Sequence, residues 1–253
     1  MTSLREPTTA KDSERIAKVI ARAGMCSRRD AERWILDGRV SVNGKTLESP
    51  AFTVGPDDRI IVDGKPLPAS EAARLFLYHK PAGLVTTMRD EQNRPTVFAN
   101  LPPGLPRVIS VGRLDLSSEG LLLLTNDGGL ARYLELPANA LKRCYRVRVH
   151  GTVKGTQLAR LAQGVTVDGV NYGPIEARME GAQTAANAWL LVTLREGKNR
   201  EIRKVMAHLG LQVARLIRTS YGPFELGELA PGSAREVKPE ILKAKVAGYF
   251  SNK

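Results

Sequence analysis

Cysteine is scarce in this chain of 253 residues. There are two, Cys26 and Cys144, too few and too far apart for a disulfide framework or a zinc-ligand spacing. The three histidines, His79, His150 and His208, share no metal-binding interval with each other or with the cysteines, so no metal is expected. No run approaches the ~20 apolar residues of a membrane span, and the N-terminus lacks the apolar stretch of a secretory signal. A reducing, cytoplasmic compartment and no membrane partner are the expectations. No internal repeat, low-complexity block, glycine-rich phosphate loop or serine–histidine set stands out. Negative charge is in the minority as well. Lysine and arginine number 38 against 26 aspartates and glutamates, a net charge of +12, and such an excess points to a polyanion, nucleic acid before membrane.

What is present divides in two. Residues 1–12 are polar and aperiodic, the pattern of a flexible tail. Over 13–67, Ser13 is placed to cap a helix carrying Ile16, Val19 and Ile20 and ending at Gly24, and Ser27 a second helix with Ala31, Trp34 and Ile35 on one face. Val40–Val42 and Ile60–Val62 then read as short strands turned by Asn43-Gly44 and Asp63-Gly64, strong hairpin signals. Arg28 and Arg29 sit in the first turn of the second helix, where cations oppose the macrodipole. Such a pair is better explained by a phosphate to meet. Residues 68–74 lack an apolar pattern and form a linker.

From Leu75 the pattern becomes many strands interrupted by single helices, which predicts one α+β domain around a large sheet over 75–248. Leu75–Tyr78, Leu84–Thr87, Val108–Val111, Cys144–Val149, Ala188–Leu194 and Val213–Ile217 read as strands, and Asn199 as the cap of a helix carrying Ile202, Val205 and Met206. The centre is Gly112–Gly129, GRLDLSSEGLLLLTNDGG. Its four leucines, bounded by turn signals, suit a strand buried on both faces, which puts Asp115 on a loop at the edge of a core element. Two basic clusters accompany it, KRCYRVR (142–148) around Tyr145, and REGKNREIRK (195–204) opening a helix.

Two resemblances rest on these motifs. ERIAKVIARAGMCSRRDAERWILDGRVSVNGK resembles the S-four type of RNA-binding module and implies RNA contacts from Arg28, Arg29, Arg39 and Lys45. HKPAG, RPTVF, GRLDLSSEGLLLLTNDG, KRCYRV and LREGKNREIRKV, in that order, resemble the RsuA/RluB family of ribosomal RNA pseudouridine synthases, closest to its B group, which modifies the large subunit. The resemblance implies a sheet of mainly antiparallel strands with flanking helices, and an isomerase without a cofactor. It implies Asp115 as the catalytic carboxylate, Arg113 helping to displace the target nucleotide, Tyr145 stacking on the uracil, Ile202 lining the base pocket and Arg203 pairing with the aspartate. Lys198 and Arg200 would add phosphate contacts.

The reaction suits that inventory. The N1–C1′ bond breaks, uracil turns, and C5 bonds to C1′, so nothing is oxidised and no group is imported. A carboxylate acts on the sugar or base, as nucleophile or as the base that takes a sugar proton, and the sequence leaves both open. Tyr145 is read first as a stacking residue and second as a proton carrier. Large-subunit ribosomal RNA is the expected substrate and a monomer the expected state. The alternatives are the same chemistry on small-subunit RNA, or an RNA-binding assembly factor without catalysis.

Overall fold

The computed structural model describes residues 13–184 and 186–251, and the chain divides into two compact units, Met1–Ala72 and Ala73–Lys253. The tail expected over 1–12 lies outside the described residues.

In the first unit, helices α1 (Ile16–Arg22) and α2 (Arg28–Leu36) share one core with a four-stranded antiparallel sheet of Val40–Val42, Lys45–Thr46, Ile60–Val62 and Lys65–Pro66. Ser27 caps α2 as its spacing predicts, its hydroxyl accepting the Asp30 N–H at 3.1 Å. Ser13 does not cap α1. Glu14–Arg15 is extended and pairs with Thr53–Val54, so the residue before the helix is Arg15, which makes no side-chain cap. Asn43 and Asp63 hold φ of 52° and 50°, each followed by a glycine of positive φ, the left-handed pair that a two-residue hairpin turn needs.

The second unit is built on a nine-stranded sheet. Its main path runs Glu176–Met179, Asn187–Leu194, Arg143–His150, Gln212–Tyr221, Ser118–Thr125, Leu75–Lys80, Ala234–Glu236. Gln212–Tyr221 lies parallel to Ser118–Thr125, while its neighbours on the path pair antiparallel. The helices are α3 (Gly128–Glu135), α4 (Gly155–Arg160), α5 (Glu201–His208), α6 (Pro239–Lys245) and α7 (Ala247–Phe250).

The leucine run owes its uniformity to two cores. Leu122 and Leu124 join Tyr78, Val147 and Met206 on one face of the sheet, and Leu121 and Leu123 join Leu130, Leu134 and Tyr249 on the other. A strand covered on both sides has no solvent face to keep polar. Arg143–His150 shows the opposite case, with Tyr145, Val147 and Val149 buried and Arg146, Arg148 and His150 exposed. Where the parallel pair meets, Gly120 (φ +98°) is obligatory: a Cβ there would lie 2.3 Å from the Arg218 carbonyl oxygen.

Two further expectations are corrected. Leu84–Thr87 forms no strand; Val85 makes a single bridge to Thr96, and the Thr86 hydroxyl is spent on the Leu114 carbonyl at 2.9 Å. Asn199 does not cap α5. Arg200 occupies that place in a left-handed conformation (φ 52°, ψ 31°) and offers no side-chain cap.

Candidate active site

Asp115 lies on the loop between the Ile109–Val111 and Ser118–Thr125 strands, and this loop is tied down at several points. Glu135, at the end of α3, accepts the Gly112 N–H at 2.6 Å. The Thr86 hydroxyl accepts the Leu114 N–H at 3.3 Å while donating to the Leu114 carbonyl. Beneath the loop, the fully buried Lys80 donates to the carbonyls of Ser118 (2.8 Å), Pro81 (3.0 Å), Asp115 (3.2 Å) and Leu116 (3.4 Å). Burial pushes the Lys80 pKa down to about 8, against the pull of the Asp115 and Glu119 carboxylates. It is still an ammonium ion at neutral pH, the form with three donors for those carbonyls.

The loop forms one wall of a cleft of about 480 Å³, lined by Arg113, Asp115, Tyr145, Ile202, Arg203 and Arg218 among others. The five residues expected at the reacting centre are therefore brought together. Ile202 and Tyr145 are buried, Tyr145 on the inner face of its strand directly opposite Arg218. Arg113 is exposed and carries no ion pair among the described residues. A second cavity, of about 910 Å³, shares the Gly112–Asp115 wall and is also lined by Arg89, Gln92 and Asn199.

The pairing of Asp115 differs from the expected one. Its Oδ2 lies 3.5 Å from Nη1 of Arg200, with the carboxylate side chain 30% exposed. Arg203 donates instead to the carbonyls of Val213 and Ser117, both at 3.2 Å. It remains within the field of Asp115: burial lowers its pKa, Arg200 lowers it further, and Asp115 opposes both. The reason for the exchange is the left-handed turn at Arg200, which aims that side chain at the loop while α5 carries Arg203 against the strands.

The expected RNA-contacting cations fall into two groups. Arg28, Arg29 and Lys45 are exposed, and among the described residues only Arg28 of these has an ion-pair partner, Glu32 at 3.7 Å. The others are held. Arg39 makes a bidentate contact with Asp63 (2.6 and 2.8 Å) and lies over the Trp34 ring. Lys198 binds Glu196 at 2.7 Å and the Asn171 carbonyl at 2.6 Å, and Arg200 faces Asp115.

Sequence reasoning passed over four residues here. Lys80 and Arg218 are buried cations, and no local pattern signals that a charge is buried. Glu196 and Glu201 flank the Gly197–Arg200 loop and read as ordinary acids among bases. Two guanidinium nitrogens of the cleft, Nε of Arg203 and Nη2 of Arg218, are buried without a hydrogen-bond partner, and such donors invite an acceptor.

With this geometry in hand, comparison with known proteins is direct. Residues 74–208 match the family described as RNA pseudouridylate synthase, and residues 14–60 match the S4 domain. The chain is 49% identical to an "Uncharacterized RNA pseudouridine synthase" of Rickettsia felis, over 91% of this chain and 99% of that one. It is 42% identical to a "Ribosomal large subunit pseudouridine synthase B" of Pseudomonas aeruginosa, over 88% of this chain and 59% of that longer one. A solved structure described as "Crystal structure of pseudouridylate synthase" superposes with a TM-score of 0.64 at 26% identity, covering 92% of this chain and 99% of its own. The cleft beside Asp115 thus belongs to an RNA pseudouridine synthase of the RluB/RsuA type, an isomerase with an S4 domain ahead of it, and the chain is a member of that family.

Proposed function

We propose that the chain isomerises uridine in large-subunit ribosomal RNA, as a monomer in the cytoplasm and as part of ribosome biogenesis, with Asp115 as its catalytic carboxylate. The observation that carries the reading is the meeting of Asp115, Tyr145 and Arg203 in one cleft. The printed name of the Pseudomonas relative favours the large-subunit target. No helix among the described residues is long and apolar enough to cross a membrane.

The target base must leave its stack to reach Asp115, at a cost of a few kcal/mol. Tyr145 repays part of this, since stacking on an aromatic ring is worth roughly 1–3 kcal/mol. Arg113, free on the cleft wall, fills the space or binds the phosphate that the nucleotide leaves behind. The unpartnered donors of Arg203 and Arg218 suit the oxygens of the flipped nucleotide. Arg200, 3.5 Å from the Asp115 carboxylate, helps to hold it at the cleft wall. The S4 unit supplies affinity through Arg28, Arg29 and Lys45, an electrostatic contribution that weakens as salt rises.

The test is a map of pseudouridines in ribosomal RNA from cells with and without the protein. Sites lost from large-subunit RNA are expected; loss from small-subunit RNA alone, or no loss, refutes the assignment. Within the cleft, Tyr145→Phe should change the single-turnover rate by no more than about threefold, because the stacking ring remains. Tyr145→Leu, which keeps apolar bulk in this buried site, should cost roughly 5- to 100-fold. Equal losses in the two variants would give Tyr145 a proton-transfer role instead.

A further inference from the structure

Glu196 and Glu201 lie on either side of the loop that presents Arg200 to Asp115. Glu201 is 4% exposed. Its Oε2 accepts the Lys198 N–H at 3.0 Å, and its Oε1 is buried with no donor in reach. Glu196 accepts the Gly173 N–H on Oε1 and the Lys198 ammonium on Oε2, both at 2.7 Å. The two carboxyl groups meet on the same residue, Glu201 on the Lys198 backbone N–H and Glu196 on the Lys198 ammonium. A carboxylate oxygen buried without a donor is costly, so the orphan Oε1 makes sense if the pair carries a proton.

We propose that Glu196 and Glu201 share a single proton, and that this protonated pair is a positioning device that holds the 196–201 loop and so keeps Arg200 beside Asp115. The inference rests on the reading of that cleft as the site of isomerisation. Arg200 is not glycine, yet its backbone is left-handed, a conformation that persists only where its surroundings enforce it. The enforcing contacts are those of the dyad: Glu201 fixes the Lys198 backbone, Glu196 fixes the Lys198 side chain, and Glu196 also anchors the loop to Gly173. A second negative charge would set the two carboxylates against each other inside the protein and loosen those ties.

The surroundings supply little to offset it. Lys198 is the cation that acts on both carboxyls, and it lies over the Tyr172 ring. Arg143 stands beside Gly197 but spends one nitrogen on the Arg195 carbonyl and another on the Tyr221 hydroxyl. Arg200 is turned to Asp115, and Arg203 to Val213 and Ser117. Consistent with this, burial and the charge of Glu196 push the Glu201 pKa up to about 7, while Glu196 stays below its ordinary range: burial works against it, but Lys198 and the Gly173 N–H prevail.

The experiment compares wild type with Glu201→Gln, whose amide keeps the oxygen for Lys198 and gives Glu196 a permanent donor. The wild-type single-turnover rate should fall about tenfold from pH 6 to pH 8, the effect of one proton lost near neutrality. Glu201→Gln should hold its rate across that window. A raised acid also makes folding more favourable below its pKa than above it. The thermal midpoint of wild type should therefore drop relative to Glu201→Gln over the same window. Glu201→Ala, with neither oxygen nor donor, should be slow at both pH values; should it fail to fold, the Gln comparison carries the test alone. An alkaline fall of rate that persists in Glu201→Gln, or midpoints that move with pH identically in both proteins, overturns the proposal. Full activity in Asp115→Asn would sink the reading of the cleft, and the melting comparison would still decide the dyad.

Discussion

Asp115→Asn is expected to reduce release of the uracil C5 hydrogen by at least about 10³-fold, within the range that a positioned acid–base group contributes, while RNA affinity stays within about twofold of wild type. The argument is one of magnitudes. In the free protein Asp115 has one ion pair among the described residues, at 3.5 Å, and its side chain is 30% exposed. Such a pair is worth about 0–1 kcal/mol, so the fold should barely register its loss. The backbone of residue 115, which accepts from Lys80 and from the Ser118 N–H, is unchanged by the swap to an isosteric amide. Chemistry, by contrast, loses everything the carboxylate offers, because an amide neither attacks a sugar carbon nor accepts its proton at neutral pH. RNA held by the S4 unit and the cleft cations keeps its contacts. A variant retaining more than about a tenth of the wild-type rate would strip Asp115 of the role and leave the cleft without its acid.

How much of this could be read from the residues depends on the range of the interactions involved. The leucine run, the alternation of Arg143–His150 and the Asn-Gly and Asp-Gly turns are decided within a few residues, and they were legible. Ser27 was legible as a cap because its partner, Asp30, is three residues away. Ser13 and Asn199 looked equally good as caps and failed for reasons at a distance. Strand pairing with Thr53–Val54 claimed the residues after Ser13, and the carboxyl pair on the 196–201 loop left Arg200 before the helix in a left-handed turn. The same distance effect explains the exchange of partners at Asp115. Motif order brings the loop and the basic helix together, but whether Arg200 or Arg203 meets the carboxylate depends on one backbone conformation. Thr86 sits in Leu84–Thr87, which reads as a strand, yet its hydroxyl serves as a staple for Leu114 rather than as part of a ladder.

Lys80 is the strongest case, since nothing local distinguishes it from a surface lysine. Lys80→Met is expected to lower stability by about 2–4 kcal/mol at pH 7 and to slow isomerisation further than instability alone explains. Two opposed contributions set the figure. Holding an ammonium ion in a buried site lowers its pKa from 10.5 to about 8, a penalty of about 3 kcal/mol that methionine does not incur. Against this, methionine removes a charged donor from four inward carbonyls, those of Pro81, Asp115, Leu116 and Ser118, of which Asp115 and Leu116 keep a backbone donor, from Ser118 and Gly83. Each lost hydrogen bond to the charged group costs about 1.5–3 kcal/mol, less whatever the loop recovers by moving. The hydrogen bonds win, and the recovery is itself damaging, because the loop that moves carries Asp115. The pH dependence separates the two contributions. Between about pH 8 and the unfolded value near 10.5 the unfolded chain binds the proton that the folded one has released, so wild-type stability should gain an increment there as pH rises. Lys80→Met has no such group and should lack the increment. Denaturant unfolding of both proteins across that range measures it, and parallel curves would mean that burial does not penalise the Lys80 ammonium ion.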